Sequence, residues 1–167
     1  MTAPRLAQRY HDHPHGAPSG TICLTYEDRF IRRKVLTTED GTAVLADLPQ
    51  TTSLNHGGVL VLADGGEIEI TAAAEPLLEI RGANLHRLAW HIGNRHTPCQ
   101  IGEDRLLIQR DHVMAQMLDR LGAEVREVTE PFTPEGGAYG HGRTHGHDHT
   151  AQHGPDGHHH HGHSHEH

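Results

Sequence analysis

The 167-residue chain lacks most of the features that mark common protein classes. It has two cysteines, Cys23 and Cys99, far apart and in no CxxC pattern. That argues against a disulfide framework and fits a reduced, cytoplasmic chain. No apolar stretch approaches the ~18 residues of a membrane-spanning helix, so no membrane association is expected. The opening MTAPRLAQRYHDHPHG has no apolar core of a signal peptide. Runs of Lys and Arg are missing, and the formal net charge is -8 with histidine neutral. That argues against nucleic acid as a partner, because phosphate contacts need clustered cations. No HExxH, GxSxG or P-loop pattern occurs, so nothing points to an enzyme. Hydrophobic residues make up only 34% of the chain, low for a globular protein.

That deficit is local. From His141 to His167 the only apolar residue is Ala151. Such a segment cannot bury enough surface to offset its ordering entropy, and a disordered tail is expected over 141–167. The first 140 residues are close to normal, at roughly 40% apolar, and can support one core or two small ones.

Residues 1–20 carry Pro14, Gly16, Pro18 and Gly20, which predict an irregular, loop-like start. From there to about residue 74 the pattern is β. TICLTY alternates around Ile22, Leu24 and Tyr26. Val35-Leu36, the turn Glu39-Asp40-Gly41-Thr42 and Ala43 to Leu48 read as a hairpin. VLVLA, the turn Asp64-Gly65-Gly66 and the alternating GEIEI read as another. Several short strands so spaced predict a small β-sandwich-like domain over 1–74. Residues 75–140 change character. PLLEIRG is a strand, Asn84 an N-cap, and Leu85, Leu88, Ala89 and Ile92 a helical stripe. A short strand pair surrounds Glu103-Asp104. Asp111 caps a second helix with Val113, Met114, Met117, Leu118 and Leu121 on one stripe, and Gly122 stops it. AEVREVTEPF closes the order β-α-β-β-α-β, the ferredoxin-like arrangement, so the fold class is α+β.

What is abundant is histidine. Of 20, twelve lie in the last 27 residues: His141, His145, His147, His149, His153, His158, His159, His160, His161, His163, His165 and His167. Imidazole nitrogen suits Ni, Cu and Zn. The neutral ring is the ligand, so binding is expected to weaken below its ordinary pKa of about 6.5. Interspersed glycines let several rings meet one ion, and Asp148, Asp156 and Glu166 ease the collection of cations. An expression tag or an inert solvated tail is the bland alternative, but tags are usually uninterrupted. Composition does not select nickel, because by affinity order copper binds tighter and zinc follows closely.

In the folded part, Gly93-Asn94-Arg95-His96-Thr97-Pro98-Cys99-Gln100 matches GNRHxPxQ. Asp111-His112-Val113-Met114-Ala115-Gln116-Met117-Leu118 matches DHVLxxML, except that Met114 replaces Leu. Glu130-Pro131-Phe132-Thr133-Pro134-Glu135-Gly136-Gly137-Ala138-Tyr139 matches EPFxPExGAY. With the His-rich tail after them, these segments resemble the UreE family of urease accessory proteins. The resemblance is dense over 77–140 and rests on β pattern alone before residue 75. It implies a homodimeric Ni(II) chaperone, which also admits Zn(II) or Cu(II). The dimer would form through the C-terminal folded domain, with His96 sharing one ion with its symmetry mate. His112 would be a further ligand, as in some members, although a histidine at a helix start is more often structural; partners would be the urease accessory GTPase and apo-urease. Some relatives carry another histidine two residues before His112; Arg110 stands there here.

Read from the residues alone, a lone His96 past a helix end is more often a surface or packing residue than a ligand. Cys99 is a possible soft ligand. Gly93 is expected to supply a positive φ or a close approach. His86 and His91, five apart, do not share a helix face. His56 reads as a loop residue. His11, His13 and His15 form HxHxH, a possible weak chelate. A metal buffer that needs only the tail competes with a chaperone that delivers.

Overall fold

The structure is a computed structural model that describes residues 2–137. The tail histidines from His141 to His167 lie outside the described residues.

Six strands come first: β1 (Arg5–His11), β2 (Gly20–Leu24), β3 (Phe30–Thr37), β4 (Ala43–Ser53), β5 (Val59–Leu62) and β6 (Glu67–Ala72). They form one sheet in the order β2-β6-β5-β1-β4-β3. The sheet curls until its two edges meet. The Glu39 amide just after β3 donates to the Thr21 carbonyl of β2 at 2.9 Å. Inside the curl lie Ala7, Ile22, Val44, Ala46, Leu60, Ile68 and Ile70, each at most 1% exposed. Both hairpins form as their turn residues predict, with Gly41 at φ 90° and Gly65 at φ 89°.

The chain start corrects an expectation. Residues 5–11 are not irregular; they are a central strand, parallel to β4 and antiparallel to β5. Pro14, Gly16 and Pro18 all follow His11, so the sheet-breaking residues begin where β1 has ended. Tyr26, by contrast, lies beyond β2 rather than within it.

The second unit runs β7 (Ala74–Arg81), α1 (Leu85–Asn94), β8 (Gln100–Ile101), β9 (Leu106–Gln109), α2 (His112–Arg120) and β10 (Glu124–Pro131). Its sheet order, β10-β7-β9-β8, is the ferredoxin-like one. Leu78, Ile80, Leu106 and Ile108 of the sheet meet Leu88, Ile92, Met114 and Leu118 of the helices. Each fully buried aliphatic side chain contributes about 1.5–3 kcal/mol, which fixes the helices, and hence their ends, on the sheet.

Arg29, 3% exposed, joins the two units. Its guanidinium donates to the carbonyls of Leu54 at 3.1 Å, Leu24 at 3.0 Å and Phe132 at 2.5 Å. The Phe132 ring stacks on Tyr26 with centroids 5.4 Å apart. Glu75 accepts the Tyr26 amide at 2.8 Å.

On the helix-free face, Glu79 is 5% exposed and paired with Arg81 at 2.9 Å and Arg105 at 2.8 Å. Hydrogen bonds from Arg81, then Arg105, outweigh burial and hold its carboxyl at about 2. A carboxyl depressed on folding stabilises the native state above its unfolded pKa of about 4.3 and loses that contribution as pH falls toward the folded value. Glu79→Gln should therefore lower stability at pH 7 by on the order of 2 kcal/mol, allowing for solvent around the arginines. It should also flatten the loss of stability between pH 4.5 and 2. Urea midpoints measured across that range check both.

Candidate metal centre

Helix α1 forms because Leu88 and Ile92 fall on one buried stripe and the Asn84 side chain accepts the Arg87 amide at 3.2 Å. Its end positions the candidate ligand. The Thr97 amide reaches back to the Ile92 carbonyl at 3.4 Å and the His96 amide to that of Gly93 at 2.9 Å. This 6→1 and 5→2 pair is the Schellman ending, whose left-handed seat usually holds glycine. Helix α2 ends the same way. The Ala123 amide bonds the Leu118 carbonyl at 3.0 Å and the Gly122 amide that of Asp119 at 3.0 Å.

There the left-handed residue is Gly122, at φ 83°; at the end of α1 it is His96, at φ 56°. Among the described residues His96 is the only non-glycine with positive φ. A side chain in that seat costs about 1 kcal/mol relative to glycine. The expectation for Gly93 is thereby corrected. Gly93 lies inside α1, its φ is not positive, and an added β-carbon would meet nothing within 4 Å beyond its own stretch of helix. His96 itself is exposed, beside the helix end whose free carbonyls carry negative partial charge.

His112 is the first residue of α2 and is exposed. Asp111 caps that helix, accepting the amides of Val113 at 2.9 Å and Met114 at 3.2 Å. The helix N-terminus disfavours a cation there. The Thr97 hydroxyl points to the Met114 sulfur at 4.0 Å, so the turn bearing His96 lies against the first turn of α2. A groove of about 400 Å³ between the helices is lined by His91, Asn94, Arg95, Val113, Met117 and Leu121, among others. Val113 is 51% exposed and Trp90 62%.

Cys99 packs against the second core. Burial, with the charge of Glu135 adding, pushes its thiol up to about 11. A thiol kept protonated is a poor metal ligand. Arg110 donates to the carbonyls of Leu77 and Val128, tying β9 to β7 and β10. The His56 Nδ1 accepts the Ala72 amide at 3.0 Å. Its proton must then sit on Nε2, so neither nitrogen is free for an ion. His91 meets Trp90 edge-on. His11 and His15 come together, with ring centroids 4.8 Å apart. His13 is exposed. Among the described residues of one chain, no three His, Cys, Asp or Glu side chains are grouped to hold a metal ion.

Two features had no signal in the sequence. The segment leading to the tail is pinned beside the His96 turn. The Thr133 amide donates to the Gln100 side chain at 2.9 Å, and the Glu135 amide to the Cys99 carbonyl at 2.9 Å. A cleft of about 920 Å³ also opens between the units, with Tyr10, Arg29, Leu48 and Asn55 on one side and Thr133–Gly136 on the other.

Comparison with known proteins gives matches over both units. Residues 3–73 match the profile described as the UreE urease accessory protein N-terminal domain, and residues 75–167 that of its C-terminal domain. A protein of Ruegeria sp. strain TM1040 named urease accessory protein UreE is 65% identical over 147 residues, covering 87% of this chain and 84% of the relative. The protein of that name from Ruegeria pomeroyi is 66% identical over 128 residues, covering 77% and 86%. The one from Cereibacter sphaeroides is 57% identical over 134 residues, covering 80% and 73%.

Proposed function

The chain belongs to the UreE urease accessory protein family, and from that premise we propose that His96 is its principal Ni(II) ligand, shared with His96 of a second copy. The protein is an accessory factor, not an enzyme, and its family role is that of a nickel chaperone in urease maturation. The observation that carries the site is the histidine in a glycine seat at the end of α1. Strain of this kind persists where function holds the residue in place.

One imidazole is a weak site. A two-fold axis supplies a second, and the groove beside the half-exposed Val113, with Met117 and Leu121 among the polar side chains His91, Asn94, Arg95, Gln116 and Arg120, is a fitting surface for the partner copy. His112 is a further ligand on the adjoining turn. Cys99 is assigned to packing. The tail histidines, His141 and His145 to His167, complete the coordination or hold additional ions. His141 is six residues beyond the pinned Glu135, within about 20 Å at full extension. Open positions on the ion let it be surrendered, as delivery requires. Zn(II) and Cu(II) compete for the same nitrogens. The receivers are the urease accessory GTPase and apo-urease, in the cytoplasm. No helix of the described residues is long and apolar enough to cross a membrane.

The test is urease activation in cells lacking this protein and grown on limiting nickel. Wild-type chain should restore activity. His96→Ala should restore under a tenth of it, and added nickel should close the gap. Equal restoration by both would remove the assignment.

A further inference from the structure

We propose that His11 and His15 form a second seat for a divalent transition metal, on the outer face of the N-terminal sheet and independent of His96. The segment HDHPH leaves β1 at His11, turns at Pro14 and brings His15 back against it. The two rings stand 4.8 Å apart at 73°. An imidazole bound at a metal–nitrogen distance of about 2.0–2.1 Å sets its centroid about 3.2 Å from the ion. Two rings on one ion, at angles between about 90° and 110°, therefore stand about 4.5 to 5.2 Å apart. The observed spacing falls inside that window.

The loop is also held in advance. Glu67, 8% exposed, accepts the amides of His15 and Gly16 at 2.9 Å each. Its other oxygen lies 3.6 Å from the His15 Nδ1. That carboxylate faces the Nδ1 side of the ring, the side from which carboxylates orient metal-bound histidines. The Ser19 amide fastens the far end of the loop to the Glu67 carbonyl at 2.8 Å.

Spacing in the sequence treats His11, His13 and His15 alike; the fold pairs only the first and third. Two imidazoles leave the other positions of the ion to water, which makes an exchangeable site for borderline cations such as Ni(II) or Zn(II). The rival account is an edge-on ring contact that merely packs the loop.

The two accounts separate in an amide NMR titration of the full-length protein with Zn(II), continued past saturation of the tail. The His15 and Gly16 amides report on the loop directly. They should shift in the wild type, in His13→Ala and in His96→Ala. In His11→Ala and in His15→Ala the shift should vanish or need at least tenfold more zinc. His15 is exposed, so His15→Ala should keep the fold, which the same spectrum records. Unmoved His15 and Gly16 amides in the wild type, or shifts that survive His11→Ala, would overturn the proposal.

Discussion

His96→Ala should remove the tightest nickel-binding event, weakening it at least a hundredfold, while the number of loosely held ions stays the same. The reason is symmetry. In the proposed two-chain site one substitution deletes two ligands, and losing even an orienting partner of a ligand typically costs 10–100-fold in metal affinity. Competition against a chelator of known affinity measures the loss. His96→Gly is the informative companion. It should lose the ion equally, yet unfold later than His96→Ala by about 1 kcal/mol, because the seat at φ 56° suits glycine. A stability difference without a binding loss would leave His96 a merely structural residue.

Ending the chain at Gly140 should cut the nickel capacity from many ions to about one tightly held ion per pair of chains, with only weaker, exchangeable uptake at the His11–His15 pair beside it. Twelve of the twenty histidines lie beyond that point. The deletion also separates two roles. A buffer that works through its tail loses all function with it. A chaperone that works through His96 still activates urease when nickel is plentiful and fails only when it is scarce. Urease activity against nickel concentration, with and without residues 141–167, distinguishes them. No activation at any nickel concentration would favour the buffer.

The sequence made local structure legible and long-range contacts much less so. Gly41 and Gly65 marked their turns because left-handed backbone at those positions admits few other residues. Asn84 and Asp111 marked helix starts because their side chains accept amides two or three residues on. Strand β1 was hidden because prolines and glycines follow directly on His11, in a segment whose burial depends on partners 39 to 55 residues away. Gly93 drew the prediction of left-handed backbone because glycine is the usual occupant; the chain spends that geometry three residues later, on a histidine. Arg29 carried no mark, because its three acceptors are backbone carbonyls, one of them 103 residues distant. The pairing of His15 with Glu67 spans 52 residues and was equally invisible. His96 itself was found through the GNRHxPxQ resemblance. What the fold adds is the physical oddity of a side chain where its sister helix uses glycine.

Native mass measurement during a nickel titration near neutral pH addresses the shared ion most directly. The first nickel should appear on a species of two chains carrying one ion, before any two-chain species with two ions and without a nickel-bearing single chain. A protein that remains a single chain and takes up no nickel, or that fills one ion per single chain first, would contradict it.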